Sequence, residues 1–148
     1  MAIITIIGAG MMGTALCWPL SDNGHQLRLV GTPLDQEIIN RIRRDRFHPT
    51  LERTIPEGVA AFTADEMAMA LRDADLVVGG ISSFGIPWFA EIAGRYFRPG
   101  LPVISVTKGL EDRPDGSLVI LPDAKAFCTA RRVPPGSPSF LRCRAYAS

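Results

Sequence analysis

The sequence predicts an α/β domain, a doubly wound parallel sheet with helices on both faces, and three observations lead there. Short apolar runs such as "IITII" (3–7), "DLVVGGI" (75–81) and "LPVISVT" (101–107) are continuous rather than alternating, which is how strands buried on both faces read. Segments with helical apolar spacing lie between them, and that alternation implies right-handed crossovers. A chain of 148 residues, 47% of them apolar, is the right size for one core.

Each element carries its own signal. The first strand stops at "GAGMMG", and the helix after it, "GTALCWPLSDNG", presents Ala15, Leu16 and Leu20 on one face and ends at Gly24, a left-handed terminator. Pro19 removes one helical hydrogen bond and crowds the carbonyl of Ala15, so a kink or local widening is expected. "QLRLV" (26–30) reads as the second strand. "TPLDQEIINRIRRD" follows with Thr32 as N-cap, Pro33 in the first helical position, and Asp35 and Glu37 in the first turn. That helix should end before Phe47. "FHPTLERTIPEG", broken by Pro49, Pro56 and Gly58, reads as loop, and "VAAFT" as a weak strand. Thr63 and Glu66 form a capping box at the start of "TADEMAMALRDA". After the strand at 75–81, "IPWFAEIAGRYF" places Ile86, Phe89, Ala90, Ala93 and Phe97 at mostly helical spacing. Arg95 and Arg98 read as cations at that helix's C-terminus.

The net charge of +1 argues against nucleic acid or an anionic membrane as the main partner, and favours a small molecule. "AIITII" lacks the basic flank of a signal peptide and no run approaches the ~18 residues of a membrane helix, so a cytosolic protein is expected. Cys17, Cys128 and Cys143 show neither metal-ligand spacing nor an even count for disulfides, and Cys17 reads as a small core residue. Residues 1–123 hold 11 basic and 15 acidic side chains, whereas 124–148 hold 5 basic and none acidic. The reading is therefore one domain over 1–122 and an irregular basic tail over 123–148, of the kind a frameshift in a GC-rich gene produces.

Gly8, Gly10 and Gly13 form a GxGxxG motif that follows a predicted strand and opens a predicted helix, the context that gives the motif its meaning. Glycine is needed there for a tight turn, for backbone access to a pyrophosphate and for close packing of helix on strand. Met11 and Met12 either line the dinucleotide site through their backbone or simply pack. The acid that holds the ribose hydroxyls in NAD-binding folds is absent: its place reads Gly31 and Thr32, and Asp35 is better explained as a first-turn residue. No arginine is placed to grip a 2′-phosphate. NAD and NADP both stay open.

The run "IITIIGAGMMGTAL", followed by "NGHQLRLVG", "DADLVVGGISS" and "ISVTKGLE", resembles the N-terminal, Rossmann-like domain of NAD(P)-dependent glycerol-3-phosphate dehydrogenase over roughly residues 3–122. The resemblance implies hydride transfer between nicotinamide and dihydroxyacetone phosphate, a phosphorylated triose, to give glycerol 3-phosphate, in the metabolism that feeds phospholipid biosynthesis. It implies that Phe47 and Ser83 help surround the cofactor, although Ser82 stands where the family has proline and Thr50 where it has glycine. It also implies a second, helical domain that supplies the proton-transfer lysine and the substrate-phosphate cation; on this reading that domain falls outside these 148 residues, which would be catalytically incomplete by themselves. A homodimer is a further expectation.

Lys108, one of two lysines against fourteen arginines, takes the place of the family's strand-five lysine, which contacts both cofactor and substrate. A compact ammonium at the carboxyl end of a parallel strand points into the crevice where ligands bind, and can donate to a carbonyl or hydroxyl where a planar guanidinium is too large. Two other readings keep the fold: a reductase of small keto acids such as ketopantoate, and a non-catalytic dinucleotide-binding module. His25 and His48 have no evident partner in the sequence and are read as non-catalytic.

Overall fold

The computed structural model describes residues 1–112 and 114–120. In chain order the elements are β1 (Ile3–Ile7), α1 (Met11–Ala15), α2 (Cys17–Asp22), β2 (Gln26–Val30), α3 (Gln36–Asp45), β3 (Phe47–His48), β4 (Arg53–Thr54), β5 (Val59–Phe62), α4 (Met67–Leu71), β6 (Leu76–Gly79), α5 (Ile86–Glu91), β7 (Val103–Ser105), β8 (Leu110–Asp112) and β9 (Leu118–Ile120). Five strands form one parallel sheet in the order β5-β2-β1-β6-β7, with Ile7 paired to Val30 on one side and to Gly79 on the other. The chain leaves β1 toward β2 and later returns to the opposite side with β6, so β1 and β6 flank the point where strand order reverses. The expected boundary at 122 and the basic tail beyond it lie outside the described residues.

Burial explains why the strands are continuously apolar. Ile4, Ile6, Leu27, Leu29 and Val78 face Cys17, Ile39 and Ile42 from α2 and α3, while Ile7, Val30 and Val77 face Met67, Ala70, Leu71, Ile86 and Phe89 from α4 and α5. Both faces of the sheet are thereby covered. Thr5, the one polar residue of β1, is buried too, and its hydroxyl donates to the Ala70 carbonyl at 2.7 Å.

The helices begin and end where local chemistry directs. Gly24, at φ +75°, terminates α2 with paired bonds from the Gly24 N–H to the Ser21 carbonyl and from the His25 N–H to the Leu20 carbonyl. An added Cβ there meets nothing within 4 Å, so Gly24→Ala should cost only its left-handed backbone, about 1 kcal/mol. A thermal melt should show a midpoint lower by a few degrees; an unchanged midpoint would contradict this terminator. Thr32 with Asp35 and Thr63 with Glu66 both close capping boxes, each opening a single 3₁₀ turn ahead of α3 and α4. The Thr63 N–H, and after it the Arg43 guanidinium, hold the Glu66 carboxyl below the usual carboxylate range.

Several expectations need correction. The first helix does break one turn ahead of Pro19, at Leu16, as the proline led us to expect, but Thr14 and Cys17 are buried where Ala15 was expected, since Ala15 is exposed. The segment read as loop after α3 contains the hairpin β3–β4, and a second hairpin, β8–β9, follows β7. The predicted helix over 86–97 is α5 followed, past Ile92, by a 3₁₀ turn at Ala93–Tyr96; this bend brings Phe97 edge-on to Phe89, with ring centroids 5.5 Å apart. Arg98 caps no helix of its own, because its guanidinium donates to the Ala74 carbonyl at the entrance to β6.

Candidate functional site

The glycine-rich turn sits at the reversal point of the sheet. Gly8 leaves β1 at φ +111° and its N–H donates to the Val30 carbonyl at 2.8 Å. A Cβ on Gly8 would lie 2.6 Å from the Gly80 carbonyl oxygen, one on Gly13 would lie 2.1 Å from the Gly8 carbonyl oxygen, and one on Gly80 would lie 2.7 Å from the Gly13 Cα. Three backbones therefore meet here. Gly10 is different: it precedes α1 in extended conformation with no side chain capping the helix, and a Cβ placed on it meets nothing within 4 Å. The turn is closed toward the sheet and open on the side where α1 begins. That shape fits a pyrophosphate approaching backbone amides.

The other expected residues gather largely at the same edge. Thr32 lies two residues past β2, half-buried, with its hydroxyl on Asp35 Oδ2 at 2.7 Å. Ser83 opens a 3₁₀ turn beyond β6 and is also half-buried. Lys108 stands exposed three residues past β7, between Thr107, whose hydroxyl donates to the Ile81 carbonyl at 2.8 Å, and Gly109 at φ +146°. All of these follow carboxyl ends of parallel strands. Met11, Met12, Leu34 and Phe84 stand on the same edge with their apolar surface in solvent; Leu34 and Phe84 are 94% and 95% exposed. Phe47 belongs instead to the β3–β4 hairpin, half-buried, with the Arg41 guanidinium carbon 5.1 Å from its ring centroid, so one of its faces is already covered.

Three residues here escaped the sequence reading. Gly80 was read only as strand, although "GG" ending an apolar run marks a close backbone approach. Asp35, read only as a first-turn residue, closes a capping box with Thr32, and the same Oδ2 also accepts the Ala9 N–H at 3.2 Å. His48 is completely buried, and its partners are the Ala9 carbonyl at 2.8 Å and the Leu51 N–H at 3.1 Å. Among the described residues no group of three or more His, Cys, Asp and Glu could hold a metal ion, and no helix is long and apolar enough to cross a membrane.

Comparison with known proteins identifies a family and a fold. Residues 3–121 match the family model described as the NAD-dependent glycerol-3-phosphate dehydrogenase N-terminus. The NADP(+)-dependent glycerol-3-phosphate dehydrogenase of Archaeoglobus fulgidus is 37% identical over 123 residues, which are 82% of this chain and 36% of that protein. A glycerol-3-phosphate dehydrogenase [NAD(P)+] of Lactobacillus delbrueckii subsp. bulgaricus is 34% identical over 81% of this chain and 34% of its own length. The chain thus spans about a third of the length of the curated relatives it matches. In fold it is similar to the crystal structure of glycerol-3-phosphate dehydrogenase from Coxiella burnetii, with a TM-score of 0.66 at 21% identity over 74% of this chain and 33% of that one.

Proposed function

The chain belongs to the NAD-dependent glycerol-3-phosphate dehydrogenase family, as its N-terminal part, and from that premise we propose that it holds NAD or NADP for hydride transfer between nicotinamide and dihydroxyacetone phosphate. The observation that carries this reading is the turn from Gly8 to Gly13, closed against Gly80 and open at Gly10. Gly10 and the amides that begin α1 take the pyrophosphate, with Met11 and Met12 contributing backbone; Thr32, Phe47 and Ser83 surround the rest of the dinucleotide. When bound, the nicotinamide supplies or accepts the hydride. Lys108 donates a hydrogen bond to the oxygen of the reacting carbon and orients substrate against cofactor. The proton-transfer group belongs to the part of the family's length that this chain does not span. The reading includes a cytosolic location and a homodimer, the latter testable by sedimentation.

Titration of the chain with NADH and NADPH by calorimetry should give saturable binding of at least one of them. Lys108→Met should leave the melting midpoint within about 2 °C, because the side chain is exposed. It should weaken the binding of dihydroxyacetone phosphate to the NADH-loaded chain by about 10- to 100-fold, the range of one charge-assisted hydrogen bond. A folded chain that binds neither dinucleotide would refute the proposal. Equal triose phosphate binding with and without the ammonium would remove Lys108 from it.

A further inference from the structure

Ala9, the residue between the first two glycines, has both of its backbone groups held by side chains. Its N–H donates to Asp35 Oδ2 at 3.2 Å, and its carbonyl accepts from His48 Nε2 at 2.8 Å and from the Thr14 hydroxyl at 3.1 Å. Of these, His48 lies farthest along the chain, 39 residues away, and is completely buried. The tautomer follows from the hydrogen-bond network. Nδ1 accepts the Leu51 N–H, which leaves the proton of a neutral imidazole on Nε2, directed at the Ala9 carbonyl.

We propose that His48 is a positioning residue for the phosphate-binding turn; this rests on the dinucleotide reading given above. The physical step is peptide planarity. All peptide bonds described here are trans, so the Ala9 carbonyl and the Gly10 N–H point in opposite directions from one rigid plane. A donor that draws the carbonyl toward the buried side turns the Gly10 N–H the other way, at a residue where an added Cβ would meet nothing within 4 Å. Asp35 fixes the preceding plane in the same manner and occupies the Ala9 N–H, so that amide is not available to an anion. Without the His48 donor only the longer Thr14 hydroxyl bond, at 3.1 Å, holds the Ala9 carbonyl, and the Ala9–Gly10 plane gains freedom to rock because glycine at position 10 adds no steric restraint of its own. His48 also ties the β3–β4 hairpin, which carries Phe47, to the turn, so both walls of the proposed site share one hydrogen bond.

Two substitutions separate this role from simple core filling. His48→Gln keeps an N–H donor near the Nε2 position, whereas His48→Asn keeps an acceptor for Leu51 near Nδ1 but is too short to reach Ala9. Calorimetry should find NADH binding weakened by about 10-fold in H48N and by less than about 3-fold in H48Q, the margin of one lost hydrogen bond. Conformational exchange broadening of the Gly10 amide resonance, followed by NMR relaxation dispersion without cofactor, should be present in H48N and absent in H48Q. The imidazole ¹⁵N spectrum of the unaltered chain should show an Nε2–H tautomer. Equal binding and equal Gly10 exchange in the two variants, or an Nδ1–H tautomer, would overturn the proposal. If the unaltered chain binds neither NADH nor NADPH, the functional reading fails, and the exchange and tautomer measurements still decide the role of His48.

Discussion

Replacing Gly13 with alanine should lower the melting midpoint by on the order of 10 °C and remove measurable dinucleotide binding. The new Cβ would sit 2.1 Å from the Gly8 carbonyl oxygen and 3.3 Å from its carbon, with the Ile6 Cγ2 at 3.4 Å. A flexible side chain could swing away, but the first two of these atoms are backbone. Gly8 cannot retreat easily either. Its N–H is bonded to the Val30 carbonyl, and the neighbouring Ile7 carbonyl accepts the Gly80 N–H, both at 2.8 Å. The collision must therefore separate α1 from the end of β1. Overpacking of a tight core typically costs 1–3 kcal/mol, and a clash against pinned backbone belongs at the upper end, about 3 kcal/mol. Binding suffers because the amides of α1 move with the helix. Gly10→Ala is the control: with φ at −68° and no neighbour within 4 Å it should melt within about 2 °C of the unaltered chain, yet bind NADH about 10-fold more weakly because the methyl stands where the pyrophosphate approaches. If Gly13→Ala melts like the original, the close approach of turn and helix is not real.

What could be read beforehand was whatever chain neighbours decide. Gly24, Thr32 as N-cap with Asp35 in the first turn, and Thr63 with Glu66 act within a few residues, so their roles as terminator, cap and capping box were legible. β1 was legible because burial on both faces leaves an unbroken apolar run. The β3–β4 hairpin was not, since two-residue strands carry no periodicity and depend on the pairing of Phe47 with Thr54 and of His48 with Arg53. His48 looked partnerless because its partner is a backbone carbonyl 39 positions earlier, and a carbonyl has no letter in the sequence. The same blindness hid Gly80, whose constraint is the Gly13 backbone, and Arg98, which reaches the Ala74 carbonyl. For Lys108 the place at the sheet edge was readable from "VISVTKG", while its role came from family resemblance alone.

Alkaline pH should destabilise this chain more steeply than a Cys17→Ala variant, starting near pH 9. Cys17 is completely buried among Ile4, Ile6, Ala9 and Leu27, and that burial pushes its thiol from 9.0 up to about 12. Below pH 9 the thiol is protonated in both folded and unfolded chains and contributes no pH dependence. Between pH 9 and about 12 the unfolded chain releases this proton while the folded chain keeps it. The unfolded state then binds fewer protons, so stability falls as pH rises, by about 1.4 kcal/mol per pH unit and about 4 kcal/mol across the window. Urea midpoints taken from pH 8 to pH 11 should diverge accordingly: the alanine variant starts lower, by about 1 kcal/mol for the lost packing, and becomes the more stable of the two above pH 10. Other groups that titrate in this range are common to both chains and cancel in the difference. Parallel slopes would mean that water reaches the thiol. Because Cys17 shares its core cluster with Ala9, and only Leu16 separates α2 from α1, a charge forced onto Cys17 would disturb the packing under the glycine-rich turn, and dinucleotide affinity should decline over the same pH range.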